Sequence, residues 1–212
     1  MTPIRLALVD DHRVVTASLK AWFESFPDIR VVGIAASGEA ALERAADWSP
    51  EVVLQDLLLP GGIDGITTIR RLRELLPAAR VIALTASIDE PRMVAALRAG
   101  ASGYLRKNAE PETLLTAVRA VAGGRTFIDP AVADRIAGAA DLPVEPLTPR
   151  EMDVLRLLAL GRPNREIADA LGLGDETVKT HVSHLLAKLQ VENRAQAIVE
   201  ALKRGLVAIE EV

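Results

Sequence analysis

The stretch Val52-Val53-Leu54-Gln55-Asp56 decides the fold: it is a short apolar run that ends on a carboxylate. The run Ile4-Arg5-Leu6-Ala7-Leu8-Val9 ends the same way, on Asp10 and Asp11. Three further runs, Val31–Ala35, Val81–Leu84 and Gly103–Leu105, complete the set, the last two followed at once by Thr85 and closely by Lys107. Continuous apolar runs of this length are the mark of strands buried on both faces of a parallel sheet. Amphipathic helical patterns lie between and after them, near Thr16–Phe26, Glu39–Trp48, Gly65–Leu75, Pro91–Ala99 and Glu112–Ala122. Five strands alternating with five helices predict an α/β doubly wound, five-stranded parallel sheet over residues 1–124.

Where such a sheet reverses its strand order, a crevice opens outside the carboxyl ends of the strands. In the order 2-1-3-4-5, the first and third strands are neighbours, so Asp10, Asp11 and Asp56 converge there. Three carboxylates in one crevice repel and call for a cation, and Mg²⁺ suits a site of one or two carboxylates plus waters. A carboxylate that accepts a phosphoryl group needs charge neutralised on the transferring oxygens. Lys107 offers that charge, and the Thr85 hydroxyl can bond the new phosphoryl oxygen. His12 reads as a loop residue, with metal ligation as the lesser alternative. Asp64-Gly65 reads as a helix start.

After Gly123-Gly124 the pattern changes. Residues 125–146 read as a linker with one short helix over Pro130–Ala137, and residues 147–212 carry only helical patterns, about four helices. Thr148-Pro149-Arg150-Glu151 reads as a capping box with proline at the first helical position. Asn164 is the expected cap of a second helix over Glu166–Leu171. A glycine turn leads into a third over Asp175–Leu189, with Val178, Val182, Leu185, Leu186 and Leu189 inward. Two helices joined by a tight turn suggest a helix-turn-helix. The polar face of the third carries Thr177, Lys179, Thr180, Ser183, His184 and Lys188. On the helices alone, a DNA reader and the solvated face of an ordinary bundle stand equal.

Composition narrows the rest. There are no cysteines, which excludes disulfides, thiolate metal sites and cysteine nucleophiles, and fits a reducing compartment such as the cytoplasm. No signal peptide is visible, and no apolar run approaches the roughly 20 residues of a membrane span. The net charge of −4 counts mildly against nucleic-acid binding. Counted locally the objection weakens: residues 147–207 hold nine Lys/Arg and eight Asp/Glu, a net of +1.

The pattern Val9-Asp10-Asp11-His12, Asp56-Leu57-Leu58-Leu59-Pro60, Asp64-Gly65, Leu84-Thr85-Ala86 and Gly103-Tyr104-Leu105-Arg106-Lys107 resembles the flavodoxin-like receiver domain of two-component response regulators. The resemblance implies that Asp56 accepts a phosphoryl group from a sensor histidine kinase, with slow self-dephosphorylation. It implies Mg²⁺ held by Asp10, Asp11, Asp56 and the backbone carbonyl of Leu58. It also implies that Thr85 and Tyr104 turn inward together on phosphorylation. The sequence departs from the pattern in places. The loop Pro60-Gly61-Gly62-Ile63-Asp64-Gly65 carries one extra residue, which glycines can absorb. Gln55 stands where an apolar residue is usual, a buried amide in need of a partner. Leu58 and Ser87 occupy positions that influence hydrolysis of the acyl phosphate, and neither is a carboxylate or an amide, so a long-lived phosphoryl group is expected.

Leu147-Thr148-Pro149-Arg150-Glu151, Asn164-Arg165-Glu166-Ile167-Ala168, Thr177-Val178-Lys179-Thr180-His181-Val182 and Lys188-Leu189-Gln190-Val191 resemble the LuxR-type helix-turn-helix domain. That resemblance implies base contacts from Lys179, Thr180 and Ser183. It gives Arg165, Thr177 and Lys188 to phosphates, has His181 pack or touch the DNA backbone, and assigns the last helix, near Arg194–Arg204, to a homodimer contact. Together the two resemblances imply a cytoplasmic transcription regulator that binds double-stranded promoter half-sites as a phosphorylated dimer. Two rivals are a magnesium-dependent phosphatase acting through an aspartyl-phosphate, and a phosphate-independent regulator whose first domain is a fixed dimerisation module. No second acid stands ready for a leaving group, which weighs against the first. The complete set Asp10, Asp11, Asp56, Thr85 and Lys107 weighs against the second.

Overall fold

In a computed structural model of the chain, residues 2–86, 89–136 and 147–207 are described. The chain divides into two compact units, Met1–Gly123 and Gly124–Val212, each described by itself. The first is built on β3 (Val52–Asp56), buried at every residue. Successive strand side chains face opposite sides, so this burial requires cover on both faces of the sheet. β1 (Ile4–Val9) pairs in parallel with β2 (Ile29–Ala35) on one side and β3 on the other. β4 (Arg80–Thr85) and β5 (Gly103–Arg106) continue the parallel sheet. The order within the first unit is β2-β1-β3-β4-β5. A sixth strand corrects the five-stranded expectation: β6 (Phe127–Ile128) has two residues, too few to show a periodicity.

Helices α1 (Arg13–Phe23), α2 (Gly38–Trp48), α3 (Gly65–Leu75), α4 (Glu90–Arg98) and α5 (Pro111–Ala122) alternate with the strands. The start of α1 differs most from its expected Thr16–Phe26. Its first turn holds Val14, 80% exposed, so the apolar pattern begins later than the backbone helix. α3 starts as Asp64 predicts, with the Asp64 carboxylate accepting the Thr67 N–H at 2.6 Å. The extra loop residue is absorbed by glycine: Gly61 and Gly62 both take left-handed φ, at 69° and 63°. Glu39 of α2 fixes this loop by accepting the Ile63 N–H at 2.6 Å.

In the second unit, β6 and α6 (Pro130–Ile136) occupy part of the expected linker, and residues 137–146 lie outside the described ones. Four helices follow: α7 (Pro149–Ala159), α8 (Asn164–Leu171), α9 (Asp175–Leu189) and α10 (Arg194–Lys203). The capping box of α7 is complete: Thr148 Oγ1 accepts the Glu151 N–H at 3.2 Å, and Glu151 Oε2 accepts the Thr148 N–H at 2.8 Å. The expected cap of α8 is corrected. Asn164 is the first residue inside the helix, and Pro163 stands at the cap with extended backbone. The Asn164 amide oxygen instead accepts from Arg194 at 3.5 Å. Val178, Leu185 and Leu189 are buried and Val182 and Leu186 half-buried, on the face expected to point inward. Each fully buried side chain of this kind is worth about 1.5–3 kcal/mol.

Candidate functional site

The carboxyl ends of β1 and β3 bring Asp10, Asp11 and Asp56 together, as adjacent strands require. One oxygen of each and a ring nitrogen of His12 all lie within 4.8 Å of one another. Asp56 is wholly buried and Asp10 nearly so. Lys107, after β5, reaches across to both: its Nζ lies 2.6 Å from Asp56 Oδ2 and 2.8 Å from Asp10 Oδ2. The second Asp56 oxygen accepts the Leu58 N–H at 3.0 Å. Leu58 itself is 44% exposed, so the loop presents it to solvent beside the carboxylate. His12 proves to be part of the cluster. Its Nδ1 is 2.9 Å from an oxygen of Asp10 and 2.9 Å from one of Asp11. The sequence offered only its adjacency to those acids as a signal.

The electrostatics separate the two buried acids. Burial pushes the Asp56 carboxyl above the ordinary carboxylate range, and the Lys107 hydrogen bond and Leu58 amide offset it only in part. Burial acts on Asp10 too, but there the hydrogen bonds from Lys107 and His12 win and hold it below that range. Burial opposes the Lys107 charge, yet its bonds to Asp10 and Asp56 raise its pKa. The His12 imidazole is raised by its hydrogen bond to Asp10 and the charge of Asp11. Three carboxylates against one ammonium leave a negative excess, and the donors are mainly hard oxygens. This set fits a divalent cation.

Thr85 ends β4 and is wholly buried. Tyr104, on β5, is also wholly buried, and burial raises its hydroxyl pKa. The ring thus already lies inside, where the resemblance puts it after phosphorylation. Gln55 finds its partner on its own strand: its amide donates to the Asp56 carbonyl at 2.8 Å. Ser87 lies outside the described residues.

In the second unit, Thr177, Lys179, Thr180 and Ser183 are exposed on α9, and Arg165 is exposed on α8. His181 is half-buried. Lys188 is drawn away from the exposed set: its Nζ lies 2.9 Å from Glu151 Oε2, with side chains only 18% and 5% exposed. Glu176, for which the sequence gives no signal, stands at the N-terminal end of the outward face, and its Oε1 lies 2.5 Å from Lys179 Nζ. On α10, seven residues between Ala195 and Leu202 are buried, and the helix packs against α6, α7 and α9. Among the described residues, no helix is long and apolar enough to cross a membrane.

Residues 6–119 match the response regulator receiver domain, and residues 145–201 match the luxR family of bacterial regulatory proteins. The chain is 38% identical to the nitrate/nitrite response regulator protein NarL of Escherichia coli K12 over 204 residues, covering 93% of this chain and 94% of NarL. It is 37% identical to the transcriptional regulatory protein LiaR of Bacillus subtilis over 210 residues, covering 96% and 99%. Among solved structures, the response regulator ChrA of a heme-sensing two-component system aligns at 38% identity, over 98% of this chain and all of that one, with a TM-score of 0.55. A structure of two RcsB dimers bound to two parallel DNAs aligns at 26% identity, over 95% and 99%, with a TM-score of 0.60. With a receiver pocket on the first unit and a helix-turn-helix on the second, the chain belongs to the response regulators of two-component systems that carry a LuxR-type DNA-binding domain.

Proposed function

We propose that Asp56 takes a phosphoryl group from the phosphohistidine of a sensor histidine kinase, and that this controls dimerisation and promoter binding in the cytoplasm. The observation that carries the reading is Lys107 Nζ at 2.6 Å from Asp56 Oδ2, in a wholly buried position at the end of β3. An Asp56 oxygen bonds to phosphorus as the phosphorus–nitrogen bond of the phosphohistidine breaks. The leaving imidazole keeps that electron pair and takes a proton from solvent. Lys107 neutralises charge on the transferring oxygens, and Thr85 bonds one of them afterwards. Asp10, Asp11, Asp56 and the Leu58 carbonyl would hold Mg²⁺, which when bound supplies further neutralisation of the phosphoryl charge. The same pocket would accept a small phosphodonor, giving Mg²⁺-dependent self-phosphorylation and slow self-dephosphorylation without turnover of a separate substrate.

Residues 1–124 serve as the receiver, 125–146 as the connection and 147–212 as the reader of double-stranded DNA. Thr180 and Ser183 face base edges with Lys179 at their flank, while Arg165 and Thr177 suit phosphates. Lys188 and His181 enter this set by family resemblance. The ion pair to Glu151 supports Lys188 more strongly as a brace within the domain. A net of only +1 over residues 147–207 favours a homodimer on two half-sites. The test is to incubate the full chain with Mg²⁺ and acetyl phosphate and record intact mass and solution molecular weight. One added phosphoryl group, absent in Asp56→Asn and with chelator, and accompanied by dimerisation, is the expected result. No adduct, with DNA binding untouched by Asp56→Asn, overturns phosphorylation control.

A further inference from the structure

The outward stripe of α9 is acidic where a DNA-reading helix meets base edges. Buried Val178, Leu185 and Leu189, with half-buried Val182, mark the inner face. Glu176, Thr180, Ser183 and Ala187 repeat the same spacing two residues earlier, and all four are exposed. Two residues on an α-helix are about 200° apart, so this second stripe lies opposite the core. Glu176 is its first member, in the first turn of α9 and 86% exposed. It does not cap the helix: Gly174 holds that position, with no side-chain cap bond. Its ion pair is with Lys179, one turn on and 59% exposed. The Thr180 hydroxyl is turned back onto the Glu176 carbonyl at 3.0 Å, and of these four side chains Glu176 alone is charged.

A carboxylate placed at base edges is restrictive. It repels phosphate and cannot donate, so it finds a partner only where a base offers an amino group to the major groove. Adenine offers N6–H₂ there but sets the N7 acceptor beside it, which repels a carboxylate, whereas cytosine offers N4–H₂ alone, and guanine on the other strand offers O6 and N7 to a lysine. We propose that Glu176 and Lys179 act as a coupled reader of a C·G pair or step in each half-site. Glu176 accepts from cytosine N4 and Lys179 donates to guanine O6 or N7, so the two charges exchange each other for base partners on docking. The Glu176 side chain is then a specificity-determining group rather than a surface charge that favours a helix N-terminus. This inference rests on the DNA-binding reading above and assigns it a base preference.

The experiment is selection by the phosphorylated full chain from a pool of duplexes randomised over a half-site pair, repeated with Glu176→Gln and Glu176→Ala. Exposure at this position leaves the fold intact in both variants. The wild type is expected to enrich a cytosine at one fixed position per half-site, by about tenfold or more over other bases. Glu176→Gln is expected to move that position towards adenine, whose N6 and N7 an amide matches, and Glu176→Ala to erase the preference there alone. Identical motifs for all three proteins, with a uniform rise in affinity for the variants, would overturn the coupled reader and leave Glu176 as a general electrostatic brake. Failure of the wild type to enrich any duplex overturns the DNA reading itself, and is distinguished from the previous outcome by the absence of bound DNA.

Discussion

Lys188 Nζ and Glu151 Oε2 sit 2.9 Å apart in the interior of the helical unit, joining the capping box of α7 to the last turn of α9. Glu151 thereby does two jobs, closing the α7 N-terminus and anchoring α9. Removing one partner of a buried pair costs about 3–5 kcal/mol, and the partial exposure of Lys188 places this case near the lower end. Lys188→Ala should therefore lower the unfolding free energy of the DNA-binding unit by about 3 kcal/mol in denaturant titration. If Lys188 is a brace, the salt dependence of DNA binding by the folded variant stays at the wild-type slope, whereas Arg165→Ala lowers it by about one phosphate's worth. An unchanged midpoint with a reduced slope would return Lys188 to the phosphate contacts.

Acid should weaken the same joint. Burial alone would raise the Glu151 carboxyl, but the Thr148 amide and Lys188 outweigh it and hold its pKa below 4.5. A carboxyl lowered on folding stabilises fully above its unfolded value and loses that contribution as pH falls through its folded value. The stability of the helical unit, followed from pH 7 downward, should thus begin to fall below about pH 4.5. Glu151→Gln, already less stable at neutral pH, should lose less over that interval. Parallel curves for the two proteins would show that Glu151 is not the group being titrated.

The phosphoryl lifetime depends on what stands beside the wholly buried Asp56. Leu58 is 44% exposed with its amide bonded to Asp56 Oδ1, so its side chain lies at the mouth of the pocket and has no group to orient water. Leu58→Asn supplies an amide there and should shorten the half-life of the phosphorylated protein by about tenfold, less than the roughly 10²–10⁴-fold of a full general acid or base because an amide orients water without taking its proton. Decay of the intact-mass adduct over time is the measurement. An unchanged half-life would mean that attack by water is limited elsewhere.

Most of this site is legible in the sequence because strand ends are encoded locally. An apolar run that stops on a carboxylate marks both the strand and the residue at its tip, which is why Asp10, Asp11, Asp56, Thr85 and Lys107 could be named together. What escaped was set by tertiary partners. Lys188 lies on the polar side of α9 by spacing alone, and nothing near it in sequence announces Glu151, 37 residues earlier. Glu176 carries no signal in the sequence, because a carboxylate on a DNA-facing helix is meaningful only once its exposure is known. Asn164 and Pro163 are both acceptable helix-start residues, and the backbone placed the boundary one residue from the expected one.

Gly65 joins the extra-residue loop to α3 and lies against the strand that carries the phosphoacceptor. A Cβ at this position would meet the Asp56 carbonyl oxygen at 2.2 Å and Leu57 Cα at 2.6 Å. Both are backbone atoms, so relief requires α3 or the end of β3 to move. That shift would carry the Asp56 carboxylate away from Lys107, which now holds it at 2.6 Å. Gly65→Ala should destabilise the receiver by about 1–3 kcal/mol, the usual range for overpacking a filled interior. It should also slow adduct formation with acetyl phosphate out of proportion to the fraction unfolded. Urea titration gives the first quantity and the rate of mass gain the second. A stability loss with an unchanged rate would show that the helix yields and the strand does not, leaving the alignment of Asp56 independent of the packing at Gly65.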